Sequence, residues 1–261
     1  MNAFHGFHPL YAASGLLVGA LVGMTGVGGG SLMTPILILV FGIHPATAVG
    51  TDLLYAAITK TGGTLIHGLR RTIDWRIVGC LATGSIPTTA LTLFVLSRLN
   101  QGPAAGHLIT MVLGVALFMS ALVLVFRRSL LRKYAARVGE LNPRVATRAT
   151  VATGAILGIL VSLTSVGAGA LGATALIMLY PRHATVRIVG SDIAHAVPLT
   201  LLAGLGHLMM GSTDLSLLGS LLVGSLPGIV LGSWAASRVP DTALRYILAG
   251  TLVLVGVKLV F

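Results

Sequence analysis

Apolar residues gather in ten stretches, at 10–24, 31–41, 45–68, 73–97 and 104–126, and again at 149–163, 170–180, 185–209, 215–237 and 243–261. Met111 to Phe126 and Leu244 to Phe261 are nearly free of charge, and only a bilayer accommodates several such stretches in one chain. The second stretch of each set of five is short. Eleven residues at 1.5 Å rise reach about 17 Å, roughly half the hydrocarbon thickness. The first and second stretches of each set therefore read as a hairpin that dips into the membrane and returns, followed by three single crossings.

Composition agrees. Hydrophobic residues make up 55% of the 261 and charged residues 9%, against roughly 25% charged in an ordinary globular domain. A soluble chain of this composition could not cover its surface. Glycine, at 34 residues, exceeds its usual share while aromatics are 5%, the balance of closely packed transmembrane helices with small residues at their contacts. The single cysteine, Cys80, excludes an internal disulfide and a thiolate metal cluster. The first nine residues lack Lys and Arg, so no signal-peptide n-region is recognisable and Leu10 onward is expected in the mature protein.

The formal net charge of +11 is unevenly placed. Arg127, Arg128, Arg132, Lys133, Arg137, Arg144 and Arg148 occupy a polar connector between two apolar halves, and Arg70, Arg71 and Arg76 form a smaller cluster upstream. Both read as cytoplasmic by the positive-inside rule. With one aromatic, Tyr134, and no groove-reading motif, the connector gives no support to nucleic-acid binding. Attraction to anionic lipid headgroups is the simpler explanation.

The two halves resemble each other. At a spacing of 139 the matches include Gly19/Gly158, Thr25/Thr164, Val27/Val166, Gly28/Gly167, Gly30/Gly169 and His44/His183. At 140 they include Gly50/Gly190, Asp52/Asp192, His67/His207, Asp74/Asp214, Gly84/Gly224, Ser85/Ser225 and Pro87/Pro227. Two hairpin arms and three crossings per half invert the second copy. That arrangement puts 14 of the 17 basic residues on the connector side, with Arg98 and Lys258 opposite and Lys60 in the membrane. Parallel copies would give 10 against 6, so charge favours inversion. The expected fold is an all-α polytopic membrane protein of two inverted repeats, each a short-helix hairpin with a Gly-rich break plus three transmembrane helices. Its parts are a first transmembrane repeat at 1–126, a basic cytoplasmic connector at 127–147 and a second repeat at 148–261. Inverted repeats around a midplane site are characteristic of secondary transporters.

The chemistry concentrates at the breaks. In TGVGGGSLMTP, Thr25 to Pro35, glycines interrupt two half-length stretches; TSVGAGALGAT, Thr164 to Thr174, is the counterpart. A helix starting near Ser31 turns its free amides and positive dipole end toward the break, which favours an oxyanion over a cation. Candidate substrate-binding residues are Thr25, Gly26, Gly28, Gly29, Gly30 and Ser31, with Thr164, Ser165, Gly167 and Gly169 in the second copy. The plainer alternative is that the glycines only permit tight helix crossing. No nucleotide-binding GxxxxGK[ST] is present.

The stretch GVGGGSLMTPILILVFGIHPATAVGTDLL, Gly26 to Leu54, resembles the first-half signature of the sulfite exporter TauE/SafE family. The degenerate second copy is also as that family shows, and the resemblance covers nearly the whole chain. It implies about eight spans in two repeats and export of small sulfur-containing anions, such as sulfite, an organosulfonate or thiosulfate, across the cytoplasmic membrane.

Asp52, Lys60, Asp192 and His195 are set well inside apolar stretches. Asp52 and Asp192, in GTD and GSD, are candidates for proton coupling, or cap helices near the interface. His195, three residues after Asp192, shares its helical face and titrates near neutrality when unperturbed. Lys60 has no counterpart, Thr200 standing at its matched position, and either faces an anion path or snorkels to the headgroups. His67 and His207 lie at segment ends and read as interfacial, and Pro87 and Pro227 as kinks. No HExxH or HxxxH pair supports a metal, no cofactor is implied, and no GxSxG elbow marks an enzyme. The reading is a multi-pass secondary transporter of the cell membrane whose partners are a small anionic substrate and the lipid bilayer; the alternatives are a passive anion channel, a structural partner subunit or a membrane-embedded enzyme. Gly29→Val is expected to abolish anion uptake into proteoliposomes while leaving assembly measurable by size-exclusion chromatography, because a side chain would occupy the anion's approach.

Overall fold

The computed structural model describes residues 9–25, 30–99, 103–137, 142–235 and, nearer the C-terminus, 249–250, 252–254 and 256–258. Among the described residues all regular structure is helical. The helices are α1 (Pro9–Thr25), α2 (Gly30–Leu39), α3 (Pro45–Leu69), α4 (Trp75–Arg98), α5 (Pro103–Arg137), α6 (Pro143–Thr164), α7 (Leu171–Leu179), α8 (Thr185–Met209) and α9 (Leu215–Ala235). Residues 75–98, 143–164, 185–209 and 215–232 are each long and apolar enough to cross a membrane. The short elements are where the sequence places them: α2 has 10 residues and α7 has 9, about 15 Å of helix each. α5 differs from expectation. Its 35 residues continue past Phe126 into the basic connector, so the arginines as far as Arg137 ride on a helix about 52 Å long, longer than a hydrocarbon core is thick.

Local chemistry fixes the helix starts. Asp74 caps α4, its Oδ1 accepting from the amides of Arg76 (3.1 Å) and Ile77 (3.4 Å); Asp214 caps α9 through Ser216 and Leu217, both at 2.9 Å. Asn142 caps α6, accepting from the Arg144 amide at 3.0 Å ahead of Pro143. Proline also opens α3, where its missing N–H costs no hydrogen bond. The turns after α3 and α8 have the same form, Thr72 N–H donating to His67 O at 3.0 Å and Ser212 N–H to His207 O at 2.9 Å. Each passes through a left-handed residue, Gly211 at φ 72° in one and Arg71 at φ 53° in the other, where a side chain is disfavoured.

Helix pairing is set by glycine. α1 lies along α9, with Gly15 against the Leu221 carbonyl, Gly19 against Ser225, and Gly224, Gly228 and Gly232 against Ala12, Leu16 and Ala20 in ascending order. The two helices therefore run parallel. α4 and α6 pair the same way: Gly84 meets the Val151 carbonyl, Gly154 that of Leu81 and Gly158 that of Ser85. The arms of each hairpin consequently separate. α1 makes its main contact with α9 and α6 with α4, rather than with the short helix that follows each in the chain.

Between these pairs α3 and α8 run antiparallel, Gly50 lying beside His207 and Gly190 beside His67. Cross-braces fix their ends. The Asp74 amide donates to Ser191 Oγ at 2.8 Å, and the Asp214 amide to Thr51 Oγ1 at 3.1 Å. α3 contributes to both large apolar cores, Ala48, Leu54 and Tyr55 to one and Ala46, Val49 and Leu53 to the other. Its central place is why it tolerates polar residues that a lipid-facing helix would not.

Gly84→Val and Gly224→Val are each expected to lower the melting temperature of the detergent-solubilised protein sharply, since the added carbons meet backbone of α6 and α1. Gly79→Ala and Gly219→Ala, with nothing within 4 Å of the added Cβ, should be neutral or raise stability by up to about 1 kcal/mol.

Candidate functional site

The deepest polar residues of α3 and α8 meet where α2 and the α6–α7 break close on them. Asp52 (0% exposed), Asp192 (1%) and His195 (0%) are buried, and Lys60 is 9% exposed. Neither aspartate caps its own helix: the N-cap residues are His44 for α3 and Ala184 for α8. Each carboxylate instead faces a neighbouring short segment. Asp52 Oδ2 accepts from Thr34 Oγ1 of α2 at 2.6 Å and also interacts with the Thr34 amide, with Ser165 alongside. Asp192 interacts with the Gly169 amide, and a Cβ on Gly172 would collide with its Oδ1.

The second break is built by three unusual backbone positions. Ser165 ends α6 in the left-handed conformation (φ 59°, ψ 5°), and Gly167 (φ 124°) and Gly169 (φ 115°) follow in a region that side chains rarely enter. Thr164 Oγ1 holds the turn, bonding Leu160 O at 2.6 Å and accepting from the Val166 amide at 3.1 Å. The Gly167 carbonyl accepts from the amides of Leu171 and Gly172, both at 3.1 Å, and so starts α7.

Lys60 turns inward. Its Nζ donates to the Ala168 carbonyl at 3.3 Å and interacts electrostatically with Asp192 and Asp52. Snorkelling to the headgroups is thereby ruled out. His195 Nε2 pairs with Ser85 Oγ of α4 at 2.8 Å, and Tyr55, one turn after Asp52, faces Ser225 of α9. Among the described residues, buried polar atoms without a hydrogen-bond partner include Asp52 Oδ1, Tyr55 Oη, Ser165 Oγ, Asp192 Oδ1 and His195 Nδ1. These are five of the nine such atoms among the described residues, and a group of unpaired buried polar atoms in one place calls for a functional explanation or a bound water or ion.

The structure brings together Lys60, Asp52, Asp192, His195 and Ser165, with Gly169 in the break beside them. Thr164 and Gly167 shape the break beside them. Gly26, Gly28 and Gly29 lie outside the described residues; Thr25 ends α1, and Gly30 and Ser31 open α2. Two expectations change. His207 is not interfacial but 1% exposed, its Nε2 bonded to Ser162 O at 2.9 Å, because α8 packs that turn against α6. The start of α7 is not open to an incoming anion either, since the Asp192 carboxylate lies against Gly172 in its first turn. Sequence reasoning singled out neither Thr34 nor the pairing of Ser85 with His195. The matched Ser85/Ser225 spacing was the available signal for the latter, whereas the Ala168 carbonyl carries no signal at all.

A second polar region lies at the basic face. A cavity of about 270 Å³ is lined by Asp74, Arg76, Thr147, Tyr180, Arg182 and His183 among others. Asp74 Oδ2 lies 3.8 Å from His183 Nε2 and 3.7 Å from Arg187 Nε.

Membrane-length helices enclosing a buried charged cluster beside α2 and the α6–α7 break mark a multi-pass membrane transport protein. The chain belongs to the sulfite exporter TauE/SafE family, whose profile matches residues 11–259. It is 42% identical over 251 residues to the probable membrane transporter protein YjnA of Bacillus subtilis, covering 94% of this chain and 97% of that one. It is 28% identical over 208 residues to YdhB of the same organism, also named a probable membrane transporter protein, covering 77% and 79%. A probable membrane transporter protein of Xylella fastidiosa is 28% identical over 116 residues, 44% of this chain and 43% of that one. No solved structure matches the chain.

Ser85→Ala leaves His195 Nε2 without its partner inside the protein and is expected to cost about 1 to 3 kcal/mol in thermal unfolding. Ser97→Ala, at an exposed hydroxyl bonded only within α4, should change stability by less than about 0.5 kcal/mol.

Proposed function

We propose that this protein is a secondary carrier that exports small sulfur-containing oxyanions, of the sulfite, organosulfonate or thiosulfate type, across the cytoplasmic membrane. The observation that carries the reading is Lys60. An ammonium held inside the protein, donating to the backbone of a helix break from a different part of the chain, is costly to bury and fits a site that recognises negative charge. Substrate contacts are assigned to Lys60, to Thr25, Gly26, Gly28, Gly29, Gly30 and Ser31 at the first break, and to Thr164, Ser165, Gly167 and Gly169 at the second. Asp52, Asp192 and His195 are assigned to proton coupling.

The carrier is built from inverted repeats at 1–126 and 148–261, joined by a cytoplasmic connector at 127–147. Matched contacts support this. The brace from Asp74 to Ser191 recurs as that from Asp214 to Thr51, and the contact of Gly84 with Val151 recurs as that of Gly224 with Ala12. Antiparallel α3 and α8 are what a two-fold axis in the membrane plane produces. The cavity beside Arg76, Arg182 and His183 opens among the basic residues assigned to the cytoplasm, where the positive field concentrates anions at the entrance.

Proteoliposomes preloaded with unlabelled anion should show saturable uptake of labelled sulfite by counterflow. Sulfite, thiosulfate, sulfoacetate and sulfate tested as competitors then rank the substrates. Linear uptake without counterflow would indicate a channel, and chemically altered substrate an enzyme. Lys60→Met is expected to raise the half-saturation concentration about tenfold or more, the worth of one charge-assisted hydrogen bond, in protein that elutes as a single species. An unchanged value would remove Lys60 from anion recognition.

A further inference from the structure

The positive features at the centre of the molecule already have occupants. Asp52 Oδ2 accepts from the Thr34 hydroxyl of α2 at 2.6 Å, the Asp192 carboxylate lies against Gly172 in the first turn of α7, and Lys60, anchored on the Ala168 carbonyl at 3.3 Å, attracts both carboxylates. Two buried carboxylates thus face one ammonium. A free oxyanion arriving while both are ionised would add a third negative charge where water cannot screen it. Yet the cluster holds unused hydrogen-bonding capacity, since Asp52 Oδ1, Ser165 Oγ, Tyr55 Oη, Asp192 Oδ1 and His195 Nδ1 all lack partners.

We propose that Asp52 and Asp192 are the resident anions of the two short segments, Asp52 at α2 and Asp192 at the α6–α7 break, and that a substrate oxyanion replaces one of them beside Lys60 as that carboxylate takes up a proton. Anion and proton are then bound as a unit. This rests on the proton-coupled anion-carrier reading and adds how proton and anion are linked: they exchange through one carboxylate's place. The proton comes from solution and goes to a carboxylate oxygen. No other bond is made or broken. Once protonated, the carboxyl group is a donor as well as an acceptor, and it can give a hydrogen bond to the oxyanion that replaces it. Lowering the pH therefore strengthens anion binding, and raising it restores the carboxylate as competitor.

The titratable groups facing the pair among the described residues are Lys60 and Tyr55 from α3 and His195 from α8. α2, α4 and the α6–α7 break present Thr34, Ser85 and Ser165, which stay neutral. α5 between Ile109 and Phe126, and α9 throughout, contain no titratable residue. A proton taken up on anion binding thus has two destinations, a carboxylate or the His195 imidazole.

The test is calorimetric binding of thiosulfate to the purified full-length protein in nanodiscs, repeated in buffers of different ionisation enthalpy to count protons. Thiosulfate stays a dianion across the neutral range, whereas sulfite itself titrates there. The expected result is uptake of about one proton per anion and an affinity that falls about tenfold per pH unit as pH rises. The double variant Asp52→Asn/Asp192→Asn should bind thiosulfate with no proton uptake and a flat pH profile. Wild-type binding without proton uptake overturns the inference and leaves the anion reading standing. Uptake that is lost in His195→Gln but kept in the double aspartate variant also overturns it. If neither thiosulfate nor sulfite binds at any pH, both fall. The wild-type proton count decides the matter even if the double variant does not assemble.

Discussion

The interior is organised around one buried cation. Lys60 leaves α3, crosses to the Ala168 carbonyl of the α6–α7 break and interacts with a carboxylate from each of α3 and α8. In water such a triad is worth little, but away from water each member is costly without the others, because removing one partner strands the rest. Lys60 is therefore also a tie between chain segments 108 residues apart. The irregular backbone around Ser165, Gly167 and Gly169 is tolerated at this depth because it is enclosed by protein and turned toward polar groups.

Glycine supplies the second constraint. The close approach of α1 to α9 and of α4 to α6 brings backbone against backbone at Gly15, Gly19, Gly224, Gly84, Gly154 and Gly158. Lipid tails are as apolar as leucine, so helix association in a bilayer depends on such contact rather than on withdrawal of surface from water. With the outer pairs held this tightly, α3 and α8 remain between them with little lipid exposure along their buried faces. That position is where two aspartates, a lysine and a histidine become affordable. The glycines therefore serve helix crossing along α1, α9, α4 and α6, while Gly167 and Gly169 serve the turn of the α6–α7 break.

Much of this was legible in the chain. The short second stretch of each half, the membrane-length helices, and the isolation of Asp52, Lys60, Asp192 and His195 in apolar surroundings all follow from pattern and from the cost of burying charge. What escaped depends on tertiary geometry. The extension of α5 to Arg137 was hidden because basic residues support a helix as readily as a loop once it leaves the membrane. His207 looks interfacial by its place at a segment end, but is buried by a neighbouring helix the sequence does not name. The placement of the Asp192 carboxylate against Gly172 at the start of α7 was invisible because sequence tells which groups are charged and not which neighbour each one meets.

The proposed duplication explains why the centre should be asymmetric. Two related halves naturally supply two equivalent carboxylates, and the positions at a spacing of 140 would place Tyr55 opposite His195 and Lys60 opposite Thr200. A lysine in both copies would balance both carboxylates and fix them as permanent ion pairs, leaving nothing for a proton to change. With one lysine the cluster has an excess carboxylate, so a single protonation takes it from net negative to neutral, and the carboxyl group freed from the ammonium gives up its place. On the proposed exchange the two short segments divide the work, one of α2 and the α6–α7 break holding its carboxylate while the other releases its own for cargo.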